Sequence, residues 1–133
     1  VGVLVEVVCE TDFVAMNEEF NAFGKNLCLT AVAYSAQFLD RESVDAAAVE
    51  KERTFVLEQT RESMQGKPDE VIEKAVDGRM RKFFEEKCLM EMGYVNPEDQ
   101  SDSRKVEQAR QELVGKIGEN IVVRRFHRME LGG

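Results

Sequence analysis

The sequence contains little of what metal sites and disulfide frameworks require. Its 133 residues include one histidine, His127, and three widely spaced cysteines, Cys9, Cys28 and Cys88, with no CxxC pair. A structural zinc site needs about four Cys or His ligands in clustered pairs. We therefore expect no metal, no cofactor and no disulfide framework, and a reducing compartment is the default for such a chain.

Signals for a membrane, for nucleic acid and for familiar catalytic sites are also missing. No apolar run approaches the roughly 20 residues that span a bilayer, and no GxGxxG, Walker, HExxH or GxSxG motif occurs. Lys and Arg number 18 against 26 Asp and Glu, for a net charge of −8. Nucleic-acid binding depends on cations placed at phosphates, so this acidic chain predicts no nucleic-acid partner. It suits a protein partner with a basic patch.

The residues that are present predict one domain over residues 1–133 with an α+β fold. Apolar residues make up 43% of the chain, which is enough for a core at this length. Within residues 1–10 the odd-numbered positions are all apolar and the others are mixed, which predicts a strand with one buried face. Residues 119–131 place Val, Ile and Phe among arginines and predict a second strand. The intervening residues predict helices, so we expect a small antiparallel sheet packed with long helices.

Four helices are predicted from apolar spacing and from capping residues. The first has Thr11 or Asp12 as its cap and repeats apolar residues at intervals of three, four or seven. Asn96–Ser103 predicts a polar loop, and Gly118 predicts the end of the last helix. The predicted bounds are Phe13–Phe38, Ser43 or Asp45 to Gln65, Pro68–Met92 and Arg104–Ile117.

The corner between the first strand and the first helix has two interpretations. Residues 10–15, ETDFVA, place Asp12 and Phe13 at a tight turn. In the structural interpretation, which composition alone favours, Asp12 caps the helix and Phe13 packs against the sheet. In the functional interpretation Phe13 is exposed beside a carboxylate and enters a pocket on a partner, as aromatic hot spots do.

Other chemically active side chains favour plain structural roles. His127 lies near two arginines in a predicted strand and is interpreted as solvated, although a general base paired with a carboxylate is conceivable. The paired carboxylates are interpreted as parts of solvated helix faces. The cysteines are interpreted as small core residues, and the methionines as adaptable ones.

Three segments of the chain carry a recognisable pattern. They are VEVVCETDFVA at residues 5–15, GKPDEVIEKAVDGRMRKFFEE at residues 66–86 and IGENIVVRRFHRMELG at residues 117–132. In order and spacing they resemble the second signature, a central helix and the closing strand of the elongation factor Ts family, the nucleotide exchange factors of elongation factor Tu in bacteria and organelles. The resemblance implies the family's core domain in its compact, single-core form.

The chain departs from the family pattern in four places. Residues 1–133 contain no counterpart of the family's N-terminal UBA-like helical domain, nor of the strand that the resemblance implies before Val1 in a three-stranded antiparallel sheet. We expect that N-terminal residues were removed or never included. Met16 stands where the family usually has a basic residue or Asn, and Val8 stands where Asn is common.

The resemblance implies a guanine nucleotide exchange factor that is not an enzyme and needs no cofactor. It assigns the contact with GDP-bound elongation factor Tu to Thr11, Asp12, Phe13 and Val14, with Phe13 entering an apolar pocket and disturbing Mg²⁺ and phosphate binding. The alternative is a binding or assembly module without exchange activity. The implied setting is the bacterial cytoplasm or an organelle (plastid or mitochondrion), and the expected assembly is a homodimer.

Overall fold

The order of elements is strand, helices, strand, and it confirms the predicted α+β class. A computed structural model describes all 133 residues. The elements are β1 (Gly2–Val8), α1 (Asp12–Ala15), α2 (Glu18–Ala33), α3 (Ala46–Ser63), α4 (Asp69–Lys87), a 3₁₀ turn (Leu89–Glu91), α5 (Val106–Ile117) and β2 (Val122–Met129). None of the helices combines the length and the apolar character needed to cross a membrane.

The two strands form an antiparallel sheet in which the first strand of the chain pairs with the last. Gly2 lies opposite Met129, and the register shifts once, after Glu6. One face of the sheet packs against α2, as the alternation in residues 1–10 predicts. Its inward side chains on β1 are Val3, Val5 and Val7. The opposite face is open, and Leu4 is 76% exposed there.

The largest core lies between α2, α5 and the sheet. Leu27, Val106 and Ile121 are fully buried in it. A separate core joins α3 to α4 through residues such as Val56 and Val76. These two helices form a hairpin that contacts the rest of the fold mainly through the C-terminal end of α4.

The predicted single helix over Phe13–Phe38 is wrong, because the chain breaks it into α1 and α2. The side chain of Asn17 accepts hydrogen bonds from the backbone N–H groups of Glu19 at 2.8 Å and Phe20 at 3.1 Å. These bonds satisfy donors that have no partner within the helix, so a new helix begins at this point.

Two predicted helix ends lie too far along the chain. α2 ends at Ala33 rather than Phe38, because Ser35 has a φ of 53° in the left-handed region. α4 ends before Cys88 rather than at Met92, because Cys88 has extended backbone and forms a parallel bridge with Phe38.

Other predicted boundary signals are confirmed. The side chain of Asp45 accepts a hydrogen bond from Ala47 N–H and caps α3. Gly118, with a φ of 82°, ends α5 in the left-handed conformation that glycine adopts readily. Cys88 is buried as expected, whereas Cys9 and Cys28 are only partly buried.

Candidate functional site

The corner between β1 and α2 projects an aromatic ring into solvent. We call residues 11–16 the tip. Phe13, the second residue of α1, is 89% exposed, and Asp12 beside it is also exposed. The structural interpretation, in which Phe13 packs against the sheet, is therefore wrong. The N-cap of α1 is Thr11 rather than Asp12, because the Thr11 hydroxyl accepts a hydrogen bond from Val14 N–H at 3.4 Å.

Val14 points in the opposite direction from Phe13. It is 7% exposed and packs in the core with Phe20 and Phe23. Val14 thus anchors the tip to the fold, while Phe13 remains free. Of the four residues that the resemblance assigns to the partner contact, the structure exposes Thr11, Asp12 and Phe13 and buries Val14.

A carboxylate from the far end of the chain holds the beginning of the tip. Glu119 Oε1 accepts from the backbone N–H of Glu10 at 3.2 Å and of Thr11 at 3.0 Å, and Glu119 Oε2 accepts from the Thr11 hydroxyl at 2.7 Å. In return, Asn120 N–H donates to the carboxylate of Glu10 at 3.1 Å. We call these four hydrogen bonds the clasp.

Two asparagines hold the other end of the tip. Asn17 begins α2, and the amide of Asn21 donates to the carbonyl oxygens of Ala15 at 3.1 Å and Asn17 at 2.9 Å. The tip is therefore attached at both ends and through Val14, which leaves little freedom for the backbone that carries Phe13.

A second large apolar side chain lies beside the aromatic ring. Met16 is 81% exposed and follows Phe13 by three residues. Side chains three residues apart lie on the same side of a helical turn. Phe13 and Met16 therefore give the tip an apolar surface that water covers in the free chain.

The arginines of one surface pocket are already paired with carboxylates. The pocket lies between the loop after α2 and the start of β2. Arg41 binds Glu91 at 2.7 Å, and Arg110 binds Glu107 at 2.6 Å. Arg110 lowers the pKa of Glu107 from its usual value. The pocket thus presents no unpaired cation to an anionic ligand.

Neither a metal centre nor a histidine-based site is assembled elsewhere. His127 is exposed on β2 opposite Leu4. No group of three or more His, Cys, Asp or Glu side chains is arranged to hold a metal ion.

The two carboxylates of the clasp carry no local sequence signal. Glu119 and Thr11 lie 108 residues apart, and no local pattern relates them. The one available signal was the pairing of the two predicted strands, which places residue 119 near the end of β1.

Comparison with known proteins identifies the family. Residues 21–101 match the family model for Elongation factor TS. Elongation factor Ts of Geobacter metallireducens is 45% identical over 132 residues, covering 99% of this chain and 58% of the relative. The Nitratidesulfovibrio vulgaris protein of the same name is 42% identical, with 99% and 63% covered. The chain thus spans about three-fifths of the length of these relatives. This chain belongs to the elongation factor Ts family.

Proposed function

We propose that this chain is the core domain of a guanine nucleotide exchange factor that promotes GDP release from elongation factor Tu in translation elongation. Family membership supports the proposal, and one structural observation carries it: the ring of Phe13 is 89% exposed on a corner attached to the fold at both ends. Burying such a side chain in a partner gains about 1.5–3 kcal/mol. The proposal makes the chain a protein ligand of a GTPase, acting in the bacterial cytoplasm or, alternatively, in an organelle.

In the proposed mechanism Phe13 enters an apolar pocket on the GTPase domain while Asp12 engages polar groups beside it. The displaced elements are those that hold the Mg²⁺ and the phosphates of GDP. If the tip binds the nucleotide-free state more tightly, GDP must weaken the binding of the tip by the same factor. The burial energy of one Phe corresponds to a shift of about 10- to 150-fold between the two states.

The tip predicts a matched pair of variants. In stopped-flow measurements of fluorescent GDP leaving elongation factor Tu, we expect the parent chain to accelerate release. We expect Phe13→Ala to lose at least about tenfold of that acceleration, because the side chain that enters the pocket is gone. Phe55→Ala is the control, since Phe55 is a 53% exposed phenylalanine on α3, outside the tip.

Two outcomes would contradict this assignment. Equal losses of acceleration in Phe13→Ala and Phe55→Ala would show that Phe13 contributes no more than another exposed phenylalanine. No acceleration by the parent chain at saturating concentration would contradict exchange activity and favour the alternative, a module that binds or assembles with elongation factor Tu. A pull-down that retains elongation factor Tu with an unchanged GDP release rate identifies that alternative.

We also propose that a second copy of the chain is a partner. The open face of the sheet carries Leu4, 76% exposed, and Met129, 64% exposed, on adjacent strands. A sheet of two strands also leaves an unpaired edge on each side. A dimer formed through this sheet would cover Leu4 and Met129 and present two tips.

A further inference from the structure

We propose that Glu119 is the positioning residue of the tip: its carboxylate holds the strand-to-helix corner so that Phe13 is presented before any partner binds. The consequence for GDP release depends on the proposed function. The effect of Glu119 on the conformation of the tip does not depend on the proposed function.

The carboxylate of Glu119 makes hydrogen bonds only with the corner that carries the tip. All three hydrogen bonds that it accepts come from Glu10 and Thr11, at 2.7–3.2 Å. Hydrogen bonds to an ionised acceptor are shorter and roughly twice as strong as neutral ones. One side chain therefore fixes two consecutive backbone units at the point where β1 turns into α1.

Thr11 transmits this restraint to α1. Its hydroxyl donates its single hydrogen to Glu119 Oε2, and it accepts from Val14 N–H through a lone pair. The bond to Glu119 thus orients the same oxygen that caps α1. Glu119 acts on Thr11, two residues before Phe13, and makes no hydrogen bond with Phe13 itself.

The helix α1 is too short to be stable by itself. It spans four residues, Asp12–Ala15, and isolated helices shorter than about 12 residues are marginal in water. Its shape must come from tertiary contacts, and on the N-terminal side those contacts are the clasp. Without Glu119, Phe13 would be presented by an ensemble of corner conformations, and the affinity of the tip would fall by the fraction of competent molecules.

The test uses Glu119→Ala and Glu119→Gln in the full chain, with Glu58→Ala on the exposed surface of α3 as a charge-matched control. At subsaturating chain concentration we expect the rate of GDP release to fall about tenfold in Glu119→Ala, because only the competent fraction of the molecules binds. Glu119→Gln should fall less, because its amide oxygen still accepts from the two N–H groups. Glu58→Ala should match the parent. A Glu119→Ala chain that is as fast as the parent overturns the proposal.

A double variant separates positioning from general damage. If Glu119 acts through Phe13, then Phe13→Ala combined with Glu119→Ala releases GDP no more slowly than Phe13→Ala alone. If the two losses multiply instead, Glu119 acts independently of the tip and the proposal is wrong.

Amide hydrogen exchange gives a readout that needs no elongation factor Tu. In Glu119→Ala we expect the amides of Thr11 and Val14 to exchange about tenfold faster, while that of Val76 in α4 remains unchanged. Unchanged exchange at Thr11 and Val14 overturns the positioning role. If the parent chain fails to accelerate GDP release, the proposed function is wrong, and hydrogen exchange still decides the role of Glu119.

Discussion

Among single residues, Asp102 connects the two ends of the polar loop after the 3₁₀ turn. Its side chain is only 4% exposed and binds Arg104 Nη2 at 2.6 Å. It also accepts from the Arg104 backbone N–H at 3.0 Å and from the Asn96 amide at 3.2 Å. The Arg104 guanidinium holds the pKa of the Asp102 carboxyl well below its usual range. The segment predicted as a polar loop is therefore held by its own side chains.

This carboxylate predicts a pH-dependent loss of stability. We expect Asp102→Asn to lower the free energy of unfolding by about 2 kcal/mol at pH 7, because a charged hydrogen bond is lost. Since the pKa is lower in the folded state, the stabilisation is present above the unfolded value of about 3.9 and is lost as the pH falls further. Urea unfolding at pH 7 and pH 3 measures the gap between parent and variant, which should narrow at pH 3.

The control for Asp102 is Glu98→Gln, an exposed position in the same loop. It should leave the free energy of unfolding within about 0.5 kcal/mol of the parent. A gap between the parent and Asp102→Asn that stays constant from pH 7 to pH 3 would show that the carboxylate charge is not the source of the stabilisation.

At the scale of elements, Asn17 decides where the tip ends and α2 begins. We expect Asn17→Ala to destabilise the chain by about 1 kcal/mol, because two N–H groups of α2 lose their acceptor. Asn17→Asp keeps an acceptor oxygen and should cost much less. Thermal unfolding by circular dichroism measures both. Equal destabilisation by the two variants would show that capping is not the cause.

The same residue shows why the sequence predicted the elements better than the site. Apolar spacing placed α3 and α5, and α4 except for its C-terminal end, because each of these helices has one buried stripe. It also placed Phe13 on the buried stripe of Phe20 and Phe23, seven and ten residues further on. Asn17 interrupts the helix between Phe13 and Phe20. The helical periodicity therefore does not extend back to Phe13, which faces solvent. The functional interpretation of the corner predicts an exposed Phe13, as the structure has it, whereas the apolar spacing places Phe13 in the core.

The clasp was beyond any local prediction for a different reason. Capping and periodicity depend on residues within a few positions of one another, whereas Thr11 and Glu119 meet only after the two terminal strands pair. The sequence predicted both strands and thus an antiparallel sheet. That pairing places residue 119 near the end of β1, but no sequence pattern specifies that its carboxylate accepts hydrogen bonds from Glu10 and Thr11.

For the whole molecule, the open sheet face predicts self-association. We expect light scattering over a concentration series to show the mass of the parent doubling, because Leu4 and Met129 expose apolar surface on one face. Leu4→Lys should remain monomeric, since burial of a charge at that contact is unfavourable. Val71→Lys, at a 42% exposed position on α4, should behave like the parent. A parent chain that stays monomeric at every concentration would contradict the proposed dimer.

The pairing of the first strand with the last has a consequence for the order of synthesis. A ribosome makes Thr11 early and Glu119 late, and these two residues lie 108 positions apart. The N-terminal part of a chain normally folds first as it emerges, but here the clasp cannot form and β1 has no strand to pair with until residues 119–129 exist. Under the proposed function, a partly made chain lacks a fixed tip and cannot yet act on the translation machinery that is making it.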